Sequence, residues 1–127
     1  MKLFDFAIII ALSSAFTFTG GAEFYFKENR VRFTDTQEGI VLTHDFEFTN
    51  TGDQPLLINS SKVACSCTQV DFPKETIPPG GKGVIHLKFD TEGKYGLQLR
   101  KIELYSNASQ SPYVLSFKVN VIPRLDE

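Results

Sequence analysis

The stretch from Gly39 to Asn50 restricts the fold more than any other part of the chain. Ile40, Leu42, His44, Phe46 and Phe48 share one parity, and Val41, Thr43, Asp45, Glu47 and Thr49 share the other. Successive side chains of an extended strand point to opposite faces, so this alternation describes a strand with one buried face. The pattern recurs. In the segment from Gly83 to Asp90, Ile85, Leu87 and Phe89 face in while Val84, His86 and Lys88 face out. From Tyr113 to Ile122, Leu115, Phe117, Val119 and Val121 fall on one face. Past residue 22 no helical period is sustained. Twelve Phe and four Tyr supply apolar area and favour strands.

Turn signals divide these strands. Thr34 to Gly39 is a polar turn. In Asn50-Thr51-Gly52-Asp53-Gln54-Pro55 the glycine is expected to supply positive φ. Ile77-Pro78-Pro79-Gly80-Gly81 is a stiff segment with a tight turn, and Thr91-Glu92-Gly93-Lys94 and Asn107 to Ser111 are further turns. Glu23 to Lys27 and Arg30 to Phe33 read as one or two charged edge strands. Leu56 starts a strand that runs into the cysteine stretch, and Gln69 to Thr76 is irregular around Pro73. From Tyr95 to Ser106 the apolar phase changes between Leu97, Leu99 and Ile102, Leu104, which predicts a bulge near Arg100-Lys101. About seven strands joined by turns form an antiparallel β-sandwich. At 127 residues the chain suits one domain.

Residues 1–22 have the order of a secretory leader. Lys2 is the basic start, Ala7 to Phe18 an apolar run of 12 residues, and Gly20-Gly21-Ala22 a small-residue cleavage region. The run is too short to favour a membrane span. No cysteine stands near the cleavage region, so a lipoprotein anchor is not available. The expected mature domain is 23–127, exported to the periplasm or beyond the cell, with no membrane span. Thirteen basic and 15 acidic residues, net −2, show no basic stripe for nucleic acid.

The only two cysteines are Cys65 and Cys67, separated by Ser66. On a regular strand both thiols would share a face, with Cα atoms roughly 6.5–7 Å apart. A disulfide between them then requires a backbone kink and would be strained and readily reduced. The same geometry suits two thiolates binding soft copper or zinc, with His44 as a further ligand and His86 as an alternative helper. Three readings stand open: cysteines that only shape the loop, a redox-labile pair, and a metal-binding pair. Export raises the disulfide and metal readings over free thiols. His44 itself is most simply a core histidine with its nitrogens bonded, and His86 a solvated surface residue. No Gly-rich phosphate loop, Ser-His-Asp set or paired carboxylates stands out, so no catalytic residue is assigned.

Four blocks, taken in order, resemble a known family. They are Phe46-Glu47-Phe48-Thr49-Asn50-Thr51-Gly52, Cys65-Ser66-Cys67-Thr68, Ile77-Pro78-Pro79-Gly80-Gly81-Lys82-Gly83, and Phe89-Asp90-Thr91-Glu92-Gly93-Lys94-Tyr95-Gly96 with Ser106-Asn107. Over roughly residues 28–122 the chain is similar to the bacterial family called domain of unknown function 1573. The resemblance implies an immunoglobulin-like sandwich akin to major sperm protein, PapD-like and hydin-type domains, exported, with no established activity, catalytic residue or cofactor. The chain departs from the family at Arg32-Phe33-Thr34, where Asp-Phe-Gly is common, and at Ser66, where Gly is common. The expected function is a structural or protein-interaction module that takes a partner at a sheet edge. Copper or zinc handling, or thiol redox chemistry, through Cys65 and Cys67 is the alternative.

Overall fold

The computed structural model describes residues 20–125, and all regular structure among them is strand. The strands are β1 (Phe24–Phe26), β2 (Arg30–Arg32), β3 (Thr36–Gln37), β4 (Val41–Asn50), β5 (Ile58–Val63), β6 (Thr68–Asp71), β7 (Lys82–Asp90), β8 (Gly96–Ser106) and β9 (Tyr113–Ile122). One sheet runs β1-β4-β7-β6. The other runs β2-β9-β8-β5, with β3 also on β9. The expected leader lies almost wholly outside the described residues. Its last expected residue, Ala22, is 2% exposed and bridges to Ala108 within the sandwich.

This is an immunoglobulin-like sandwich whose first strand is shared between the sheets. β1 pairs antiparallel with β4, and β2 and β3 then pair parallel with β9. The polar break at Lys27-Glu28-Asn29 lets the chain cross over. β3 inside the expected Thr34–Gly39 turn, and β6 inside the segment expected to be irregular, raise the strand count from about seven to nine.

The alternating residues meet as the sequence pattern requires. Phe46 and Phe48 of β4, Ile85, Leu87 and Phe89 of β7, and Leu115, Phe117, Val119 and Val121 of β9 are buried between the sheets. Phe89 and Phe117 meet edge to face across the layer at 5.0 Å between centroids, which adds about 0.5–1.5 kcal/mol to their burial. Ile40 is the exception. It precedes β4 and is exposed.

The bulge expected near Arg100-Lys101 is absent. β8 pairs with β9 in unbroken register from Gly96↔Val121 to Leu104↔Tyr113. Even-numbered residues of β8 face inward throughout, so Leu97 and Leu99 stand outside, 59% and 65% exposed. Arg100 takes an inward position in the middle of β8, opposite Phe117. Its guanidinium carbon is 5.8 Å from the Phe89 ring centroid, and Nη2 donates to Gln98 at 2.7 Å. A long stem that covers an aromatic ring substitutes there for an aliphatic residue. The register shift in this sheet lies instead in β5, between Ile58 and Ser60.

The blocks that carry the family resemblance are hydrogen-bonding devices of this fold. Asn50, with no exposed surface, donates through Nδ2 to the carbonyls of Gln54 (2.7 Å) and Ile77 (3.0 Å). Its Oδ1 accepts from the N–H groups of Gly52 (3.0 Å) and Glu23 (3.2 Å). Its backbone joins the Pro-Pro-Gly-Gly turn, where the Gly80 N–H donates to the Asn50 carbonyl at 2.7 Å and Gly80 has φ 78°. Gly52 does not have positive φ. A Cβ at Gly52 would run into the Gly21 carbonyl oxygen, so close backbone approach, not turn conformation, demands glycine. Thr91, also fully buried, donates from Oγ1 to the Ile40 carbonyl at 2.6 Å and accepts from the Gly39 N–H at 3.0 Å. Asn107 ties the β8–β9 turn to Leu57 and Pro55 through its side-chain amide.

Candidate functional site

Cys65 and Cys67 occupy the connection between β5 and β6, where the chain leaves one sheet and joins the other. They are not on a regular strand. The Thr68 N–H donates to the Cys65 carbonyl at 3.1 Å, closing a turn that brings the two Cα atoms to 5.1 Å. This separation is inside the range a disulfide accepts, and the two sulfurs are bonded. The crossover supplies the kink that Ser66 by itself does not. The Cys67 N–H also points at Cys65 Sγ, 3.1 Å away. Both cysteines are half-buried, and Cys67 packs against the core.

The set Cys65, Cys67 and His44 is not assembled. His44 lies on β4 opposite Leu87, whereas Cys67 precedes Thr68, which lies opposite Phe89 on the far side of β7. His44 Nε2 is 2.9 Å from Glu28 Oε1, and its ring sits edge-on to Phe46 at 4.7 Å. Both sulfurs are in the disulfide, so neither is the thiolate that binds soft metals. In this form the donor set does not fit copper or zinc. Among the described residues no three His, Cys, Asp or Glu side chains are grouped to hold a metal ion. His86 is on the outer face as expected, and its Nδ1 is 2.6 Å from Asp45 Oδ1.

The sheet edges differ in how they are finished. At β1 the side chain of Gln110 substitutes for a neighbouring strand: its Oε1 accepts from the Phe24 N–H at 2.8 Å, and its Nε2 donates to the Phe24 carbonyl at 3.1 Å. At β2 no such cap exists among the described residues. The Phe33 N–H donates to the Lys118 carbonyl, and the Asn29 carbonyl accepts from the Ser116 N–H. By strand alternation the N–H and C=O groups of Arg30 and Arg32 therefore point away from β9, toward solvent. Arg30 and Arg32 also expose their side chains, while Val31 packs inward.

Beside this edge, the outer face of β2, β9 and β8 is hollowed into a groove of about 680 Å³. Ser116 lies at its centre, between Arg30 on one neighbour and Lys101 on the other. The next row across the sheet is Arg32, Lys118 and Leu99. A short side chain ringed by long ones leaves the hollow. The sequence pattern does not disclose this groove, because a bulge at Arg100-Lys101 would have turned Leu97 and Leu99 inward. Their even-numbered neighbours Ile102 and Leu104 held the true inward phase.

Among the described residues no helix is long and apolar enough to cross a membrane. In overall shape the chain is similar to a protein of unknown function from Porphyromonas gingivalis W83, with TM-score 0.64 and 20% identity over 87% of this chain. It spans only 50% of that protein. It is also similar to the ASH/PapD-like domain of human CEP192, with TM-score 0.58 and 12% identity over 84% of this chain and 89% of that one. Similarity to WR4, a major sperm protein family member of C. elegans, is weaker: TM-score 0.51 and 11% identity over 80% of this chain and 99% of that one. At these identities the likeness is one of fold. No curated protein sequence matches the chain significantly. Residues 24–121 match the family described as "Protein of unknown function (DUF1573)", and the chain belongs to that family.

Proposed function

We propose that this protein is an exported bacterial module with no catalytic role, which holds another protein by accepting an extended segment at a sheet edge. The observation that carries this reading is the contrast between the two N-terminal edges. β1 is closed by Gln110, while β2 leaves the backbone groups of Arg30 and Arg32 unpaired. An open edge offers main-chain hydrogen bonds to a partner strand, and neighbouring side chains select its sequence. Export rests on the basic and then apolar order of residues 1–22. The Cys65–Cys67 disulfide fixes the crossover between two further edge strands, β5 and β6.

The test is affinity capture of exported proteins from the source cell by the mature protein and by two edge-blocked variants. Arg32→Pro removes an N–H that faces solvent at β2. Val70→Pro does the same at β6, because the Asp90 N–H bonds the Cys67 carbonyl and strand alternation then turns the Val70 N–H outward. A stoichiometric partner that is lost with one of the two variants supports the reading. No stoichiometric partner overturns it, and a partner that both variants retain overturns binding at the β2 and β6 edges.

A further inference from the structure

The groove beside β2 has a one-sided charge. Arg30, Arg32, Lys101 and Lys118 line it, and no carboxylate does, in a chain whose net charge is −2. None of the four is ion-paired among the described residues. Glu103, two residues along β8 from Lys101, lies outside the groove and accepts from the Tyr105 hydroxyl at 3.1 Å. Between the cations stand exposed apolar side chains, Leu99 at 65% and Val114 at 43%.

We infer that the β2 edge and its adjoining groove bind an extended acidic segment of a partner protein, with carboxylates at alternate positions and small apolar residues nearby. Successive rows of the sheet face, Arg30–Ser116–Lys101 and Arg32–Lys118–Leu99, are two residues apart. That is about 6.5–7 Å, the spacing of alternate side chains in an extended peptide. A strand added at β2 hydrogen-bonds the free groups of Arg30 and Arg32 and sets its outward carboxylates against the cations. Its outward carboxylates lean over the groove from beside β2, and the alternate small apolar residues turn to the opposite face, the one on which Val31 of β2 packs. A second copy of the chain is disfavoured, because pairing β2 with β2 would set Arg30 and Arg32 against like charges. A flat anionic membrane would meet only the cation tips and leave the free backbone groups of Arg30 and Arg32 unpaired.

This inference rests on the edge-binding reading and specifies its site and partner chemistry. The probe is a short fluorescein-labelled peptide of alternating Glu and Val, with a Gln-for-Glu counterpart, followed by fluorescence anisotropy with the mature protein. The Glu peptide should bind, the Gln peptide should bind at least roughly tenfold more weakly, and raising salt from about 20 mM to about 200 mM should weaken the Glu complex. The exposed double variant Arg30→Glu/Arg32→Glu, checked for folding by circular dichroism, should lose roughly tenfold or more. Leu99→Glu, on a different strand, should also weaken binding. Hydrogen exchange should slow at the amides of Arg30 and Arg32 when the Glu peptide is present. Equal binding of both peptides, no effect of the charge reversal, or protection elsewhere would overturn the inference, as would binding of phosphatidylglycerol vesicles in place of the Glu peptide. If captured partners are lost with Val70→Pro but kept by Arg30→Glu/Arg32→Glu, the acidic-segment site is wrong and the edge-binding module survives. If no stoichiometric partner is captured and the Glu peptide does not bind, both readings fall.

Discussion

Replacing Asn50 by Ala tests whether the Phe-Thr-Asn-Thr-Gly block is structural. The substitution removes four hydrogen bonds from a side chain with no exposed surface: to the carbonyls of Gln54 and Ile77, and from the N–H groups of Gly52 and Glu23. A net contribution of about 0.5–1.5 kcal/mol each would give about 2–6 kcal/mol. The lower half of that range is expected. The Ile77 carbonyl keeps its bond from the Leu56 N–H, and Gln54 and Gly52 lie in a turn that water can reach. About 3 kcal/mol is a large share of a small domain's stability. In urea it would lower the midpoint by about 2 M for a slope near 1.5 kcal/mol/M. The melting temperature would fall by roughly 12–20 °C. Asn50→Asp separates the two halves of the device. It keeps an acceptor for Gly52 and Glu23 but turns a carboxylate oxygen on the Gln54 and Ile77 carbonyls. Burial and those oxygens raise the carboxyl's folded pKa above its unfolded value. Stability of that variant is therefore higher below the unfolded pKa and is lost as pH rises through the folded one. A loss under about 1 kcal/mol for Asn50→Ala would refute the assignment of Asn50 as the tie between the N-terminal segment and the Pro-Pro-Gly-Gly turn.

Three further outcomes follow from the same structure. The double variant Cys65→Ser/Cys67→Ser should stay folded and lose only about 1–2 kcal/mol in chemical denaturation, because so short a loop restricts the unfolded chain little; unfolding at ambient temperature would contradict this. A chain beginning at Glu23 should be less stable than one beginning at Gly20 by about 2–3 kcal/mol. It forfeits the burial of Ala22 and the bonds from the Asp53 N–H to the Gly21 carbonyl and from the Ser109 N–H to the Ala22 carbonyl. N-terminal sequencing of the exported protein should accordingly find Gly21 and Ala22 retained. In an ultraviolet titration the Tyr105 phenol should ionise above its ordinary pKa of 10.0, since its hydroxyl bonds Glu103, and Glu103→Gln should bring it back down. Stability tied to that raised pKa is intact below the unfolded value and fades as pH rises through the folded one.

Much of the fold was legible because a strand's side-chain period is two, whatever its partners. Phe46, Phe48, Ile85, Leu87, Phe89 and the odd-numbered residues of β9 announced their burial in one dimension. The phase of β8 is disguised for a reason in the same physics. Leu97 and Leu99 are exposed, and Arg100 fills an inward place with its stem over Phe89, so the apolar pattern reversed while the backbone stayed regular. The blocks that resemble the family were legible as turns, but their work was not. The burial of Asn50 and the crowding at Gly52 depend on Gly21, Glu23 and Ile77, which are distant in sequence.

By itself the sequence determined the sandwich class and the family, because local alternation and turn chemistry are properties of short stretches. It also brought Cys65 and Cys67 within reach of each other. Only the tertiary structure decided the rest. The crossing from β5 to β6 bends the backbone enough to join the two sulfurs, and the span of β7 between them keeps His44 away. The pairing of β2 and β8 with β9 gathers Arg30, Arg32, Lys101 and Lys118 from three separate segments onto one face. Such a surface is set by which strands lie side by side. That is a long-range choice, made by burying the two sheets against each other, and it leaves no period in the sequence.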